Sequence, residues 1–171
     1  MSLLNKDELL ALLPDNTSGA ISPADVREIV HNVFNAYGGI GASGTAPSQS
    51  FDTTPSGLEQ WDHSFPSQGV TPDPSGGLLT VSVSGVYAFH ASISWQGDAG
   101  AVYSATLHHN EDPTVYRFHR KLSLGDVGQA GFCGLIACAS GEQLSIKVNS
   151  DKATPKEFDV EDAQFCIRRV G

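Results

Sequence analysis

The run His108-His109-Asn110-Glu111-Asp112 places two imidazoles and two carboxylates within a few residues, donors that together hold divalent metals. On a β-strand, however, neighbouring side chains leave opposite faces, so adjacent histidines point apart. His119 is the only later histidine. The run therefore reads as a strand closing in an Asn-Glu-Asp-Pro turn. Cys133, Cys138 and Cys166 have no second close pair and no histidine near them in sequence, so zinc-ligand spacing is missing. Odd in number and set inside predicted strands, they read as small buried hydrophobes, not as a secreted disulfide framework. No Gly-x-Ser-x-Gly elbow occurs, and the glycines of 38–44 lack the Lys-Ser/Thr of a phosphate loop. The Asp15 to Ser22 loop fails as a calcium loop, since Pro14 would stand at the first ligand position. The expectation is a protein without catalytic residues, metal or cofactor.

Charge narrows the partners. Ten Lys and Arg stand against nineteen Asp and Glu, a formal net charge of -9, which argues against a phosphate-binding surface. Arg117, Arg120, Lys121 and the pair Arg168-Arg169 read as solvated faces. No stretch of eighteen apolar residues is present, so no membrane partner is expected. The opening MSLLNKDELL carries charges where a signal peptide would be apolar, so synthesis without a secretion signal is expected. The length suits one domain plus an appendage.

The elements that carry these residues are strands. Leu79, Val81 and Val83 alternate with Thr80, Ser82 and Ser84; after Gly85, the apolar Tyr87, Phe89, Ala91, Ile93 and Trp95 alternate with Ala88, His90, Ser92 and Ser94. Two strands broken at Ser84-Gly85, with Gly85, Tyr87 and Phe89 in this spacing, resemble the complement 1q globular-head and tumour-necrosis-factor-like (TNF-like) jelly rolls. The resemblance continues through Tyr103 to Leu107, Gly131 to Ala139, the Ser140-Gly141-Glu142 turn into Leu144 to Val148, and a closing strand Ala163 to Arg169. It implies an all-β antiparallel jelly-roll sandwich with strands near 79–83, 86–96, 101–109, 114–122, 130–139, 143–149 and 157–169. Phe51, Trp61 and Phe65 are candidates for the first strands, interrupted by Pro55, Pro66, Pro72 and Pro74. The resemblance also implies a homotrimer packed through aromatic side chains, for which Tyr87, Phe89, Trp95, Tyr103, Tyr116 and Phe118 are the trimer or core candidates. Some relatives hold calcium near the trimer apex; here Asp98, Asp112, Asp126 and Asp151 lie in predicted loops and read as solvated turn acids.

Ahead of the head, Asn5 to Glu8 and Ser22-Pro23-Ala24-Asp25 are helix starts, and Val26, Ile29, Val30, Val33, Phe34 and Tyr37 follow at helical spacing. Helices this short are marginal alone, so the stripe needs a partner. The division expected is an arm over 1–37, a Gly/Ser-rich linker over 38–50 with a reach of roughly 20 Å, and a jelly-roll head over 51–171. The segment DNTSGAISPADVREIV resembles a short N-terminal module of tailed-bacteriophage structural proteins. That resemblance implies a non-enzymatic virion protein, self-associated as a homotrimer and anchored by its arm on the major capsid protein or another virion protein, as a capsid decoration or head-fibre protein. The alternative is a tail-fibre or spike tip binding a host-surface glycan or receptor. A third reading, a cupin-like metal enzyme, has His108, His109 and His119 in its favour. Cupin sites, however, want two histidines with one residue between them.

Overall fold

Period-two alternation becomes a sandwich because each strand can bury one face only by laying it on a second sheet. The computed structural model describes residues 36–45 and 47–171. Among these residues there are twelve strands and no helix: β1 (Tyr37–Ala42), β2 (Gln49–Phe51), β3 (Ser56–Gly57), β4 (His63–Ser64), β5 (Val70–Asp73), β6 (Leu78–Val81), β7 (Gly85–Gly97), β8 (Val102–His109), β9 (Asp112–Lys121), β10 (Gly128–Cys138), β11 (Gln143–Ser150) and β12 (Lys156–Arg169). All pairings are antiparallel. The first sheet runs β10-β7-β12-β1-β4, with β2 also on β12; the second runs β5-β6-β11-β8-β9, with β3 on β11. The chain changes sheets at Ser82 to Ser84, the break that the alternation predicted.

Inward residues of both sheets meet in one core. Tyr87, Phe89, Ala91, Ile93 and Trp95 of β7 are buried, as are Ala163, Phe165 and Ile167 of β12 and Leu144, Ile146 and Val148 of β11. Trp95 is sandwiched between Phe158 (centroids 5.2 Å apart, planes at 19°) and Phe118 (5.6 Å, 23°), and Tyr103 meets Phe158 edge-on at 5.3 Å. Buried phenols find acceptors: the Tyr87 hydroxyl donates to Val83 O at 2.6 Å, and Tyr103 donates to Glu157 O while accepting from Asp98 N. Burial pushes the Tyr87 phenol up to about 12, against an opposing pull from Arg169.

The expected linker is corrected by the structure. Residues 37–42 are not a tether but β1, an internal strand hydrogen-bonded to β12 on one side and β4 on the other. The glycines are there for close approach: a Cβ on Gly38 would lie 2.9 Å from Val70 Cβ, and one on Gly39 only 2.7 Å from Phe165 O. A run of small residues thus has two meanings, flexible coil or crowded strand, and burial selects the second. Tyr37 belongs to this strand and not to the arm. Val26, Ile29, Val30, Val33 and Phe34 lie outside the described residues.

Changing Trp95 to Ala is expected to lower stability by about 3–5 kcal/mol, seen as a reduced denaturant midpoint. Removing residues 1–35 leaves β1 whole and should barely move the unfolding transition. Removing 1–42 takes out an internal strand and should abolish cooperative unfolding; urea titrations of the two truncations, run side by side, read both outcomes.

Candidate functional site

The outward face of the first sheet is the most unusual surface among the described residues. Its side chains come from the residues that alternate with the core. One row across the sheet is Leu135, Ala88, Arg168 and Tyr37; the next is Cys133, His90, Cys166 and Gly39; a third is Gly131, Ser92, Gln164 and Gly41. These rows hold one guanidinium, one imidazole and no carboxylate, in a chain with nineteen acids. Val86, paired with Ala137, and Val170 form the row next to the first, joined by the bond from Val170 N to Val86 O. Tyr37, Val86, Leu135 and Val170, four of the seven large exposed apolar residues among those described, gather here, with Leu135 57% exposed. A shallow depression of about 330 Å³ lies among Ala88, His90, Cys166, Arg168 and Val170. At the far edge Phe65 and His63 lie over Gly39 and Gly41 and pack edge-on, centroids 5.2 Å apart. The second sheet differs, presenting Arg117, His119 and Lys121 on its outer β9 strand. The face is nearly uncharged and exposes apolar side chains, a combination found where one protein surface covers another.

The aromatic candidates do not make this face. Tyr87, Phe89, Trp95 and Tyr103 are buried inside the sandwich, and the partly buried Tyr116 and Phe118 pack inward on Phe89 and Trp95. The Tyr116 hydroxyl bonds Leu135 O at 2.8 Å. What the sequence reading passed over was the intervening register, Ala88, His90, Leu135, Cys166 and Arg168. The signal for it was available as the other half of the same alternation.

Cysteine placement is also corrected. Only Cys138 is buried; Cys166 is half-buried and Cys133 exposed, because both fall in the outward register of their strands. Burial pushes the Cys166 thiol up, and burial together with the nearby Glu142 pushes Cys138 up to about 11.

The three histidines of the enzyme reading are not brought together. His108 is buried and bonds Glu111 O at 2.8 Å, whereas His119 stands opposite Ser104, farther along β9, with its Nδ1 2.5 Å from Ser104 Oγ. His109 instead meets two residues distant in sequence. Its Nε2 donates to Glu142 Oε2 at 2.7 Å, and the ligand atoms of His109, Cys138 and Glu142 all lie within 4.8 Å of one another. Glu142 also accepts from Ala139 N, and that bond, followed by His109, holds its carboxyl below the usual range. The β8–β9 turn that delivers His109 takes positive φ at Asn110 (48°) and Glu111 (72°), a hairpin geometry in which glutamate replaces the more common glycine. At the opposite end, Asp98, Asp126, Glu157 and Asp159 line a cleft of about 200 Å³, while Asp112 and Asp151 stand elsewhere. Asp98 accepts from Glu157 N and pairs with Lys156, and Asp126 accepts from Ser123 N, so these acids hold loops in place.

A scan against protein-family models finds no match. A search of curated proteins also finds none. Among solved structures, the chain is similar to the Eiger TNF of S. frugiperda, with a TM-score of 0.56 and 14% identity over 81% of this chain and 94% of that one. At that identity the likeness is one of fold. The chain has a jelly-roll fold like that of TNF.

Thiol labelling reads the outward face directly. In dilute protein Cys133 is expected to react fast with a disulfide reagent and Cys138 only on unfolding. If a second surface covers the first sheet, Cys133 protection should rise with protein concentration, and a labelling rate independent of concentration would show the face bare.

Proposed function

We propose that this protein is a non-enzymatic structural protein of a tailed-bacteriophage particle, a homotrimeric jelly roll carried on the surface as a capsid decoration or head-fibre protein. The observation that carries self-association is the first sheet's outward face, free of carboxylates across three rows and bearing Tyr37, Val86, Leu135 and Val170. In a cyclic assembly the contact is heterologous, so this face meets a different patch of the next copy. Val115, Leu124 and Val127, exposed on β9 and the loop after it, are the apolar residues left to meet it.

The virion assignment rests on the N-terminal segment DNTSGAISPADVREIV and its resemblance to a phage module. With the arm preceding β1, and β1 beside the outward face, cyclic symmetry gathers the arms of all copies on a common side. Their apolar residues Val26, Ile29, Val30, Val33 and Phe34 would then dock together on the major capsid protein. The second reading, a tail-fibre tip for a host receptor, is favoured by the loop between β9 and β10, whose Leu124 is 92% exposed.

Sedimentation equilibrium should return three times the chain mass at micromolar concentration. Leu135→Glu or Ala88→Glu, which put a carboxylate on the face without touching the core, should shift the species to monomer while leaving the folding transition in place. Imaging of labelled particles then separates the two readings: many copies over the shell support decoration, and a few at the tail support a receptor tip. A monomer throughout, or no particle labelling, would refute the proposal.

A further inference from the structure

We propose that His109, Cys138 and Glu142 form a binding site for one zinc-class divalent cation that ties the two sheets together at one end of the sandwich. The ligand atoms already lie within 4.8 Å of one another. A tetrahedral zinc ion with bonds of about 2.0–2.3 Å needs ligand atoms roughly 3.3–3.7 Å apart. From the present geometry that takes only side-chain adjustments: His109 Nε2 and Glu142 Oε2, now 2.7 Å apart, open slightly, and Cys138 Sγ closes in.

The three residues are held by backbone independent of their side chains. His109 ends β8 beside Asn110, whose N–H donates to Gln143 O at 2.9 Å and whose Oδ1 accepts from Gln143 N at 2.8 Å. That pair of hydrogen bonds ties the residue after His109 to the residue after Glu142. Cys138 ends β10, paired with Gly85 of β7, and Glu142 N donates to the carbonyl of Ala139, the next residue, at 3.2 Å. The site therefore joins β10 of the first sheet to β8 and β11 of the second.

Donor chemistry selects the ion. One thiolate, one imidazole and one carboxylate suit zinc; calcium and magnesium prefer all-oxygen sets. As the metal–sulfur bond forms, the thiol proton passes to solvent. Three protein ligands leave a fourth position for water on the solvent side, where the His109 and Glu142 side chains are 27% and 28% exposed. The ion acts as a staple and requires no catalytic role, so the site stands or falls independently of the virion reading.

The test uses the full chain, stripped with a chelator and titrated with Co²⁺. The expected result is one ion per chain with a thiolate-to-cobalt charge-transfer band, displaced by Zn²⁺, and a thermal midpoint raised by Zn²⁺ and restored by chelator. Cys138→Ser, close to isosteric, should lose the band. Cys133→Ser and Cys166→Ser should keep it. His109→Gln and Glu142→Gln should each weaken Zn²⁺ binding by about tenfold or more, since loss of even an outer partner of a metal ligand costs that much. Absence of the band in the wild-type chain, its persistence in Cys138→Ser, or a midpoint indifferent to Zn²⁺ would overturn the proposal and leave Glu142 as a hydrogen-bonded turn acid.

Discussion

The stack of Trp95 between Phe158 and Phe118 is the contact on which the sandwich depends. Trp95 and Phe158 come from neighbouring strands of the first sheet, Phe118 from the edge strand of the second, and Tyr103 closes the group from the second sheet. One indole thus spans the space between layers, and the offset-stacked and edge-on geometries add to the area buried. The Trp95 N–H is buried with no acceptor among the described residues, a penalty of about 1–3 kcal/mol that the packing must offset. The polar groups around it are better served, since Tyr103 both donates and accepts where the loops at 97–98 and 157 meet. The stack therefore fixes sheet separation and loop position together.

A second constraint is the crowding of β1. With Phe165 O and Cys166 Sγ of β12 on one side and Val70 and Phe65 nearby, no side chain larger than hydrogen fits at Gly38 or Gly39. The consequence for function is geometric. With only hydrogen at Gly39 and Gly41, Phe65 and His63 can lie directly over β1 at this edge of the outward face. A face with little charge lets a second surface approach without desolvating ions, and ions are the groups most costly to bury. The net charge of -9 is carried elsewhere, and like charge around an uncharged face opposes non-specific association.

The two ends of the sandwich differ in kind. At one, Asp98, Asp126, Glu157 and Asp159 ring a small cleft; Asp98 and Asp126 accept from loop N–H groups, and Asp98 also pairs with Lys156. At the other, the turn after β8 bends through positive φ at two non-glycine residues, held by Lys147 on Glu111 and by His108 on the Glu111 carbonyl. A turn that retains such strain needs contacts that over-determine it. Those contacts set His109 against Glu142 and leave Cys138 beneath.

Local order decides how much of this was legible in the sequence. Alternation in 76–95 determined which side chains of β7 enter the core, because a strand's period leaves no other choice once one face is buried. Seven long strands, from β6 to β12, fall near their expected bounds for the same reason. Burial of the three cysteines was legible only for Cys138; Cys133 and Cys166 fall in the outward register. What tertiary structure alone decided is where strands lie beside one another. Gly38 to Ala42 have the composition of a flexible linker, and only pairing with β12 makes them a strand. The outward face became a surface only when β10, β7, β12 and β1 were set side by side. His109 and Glu142 are 33 residues apart, and no spacing rule joins them. Their meeting comes from the pairing of β8 with β11, a long-range contact whose register the core sets and the sequence near either residue does not contain.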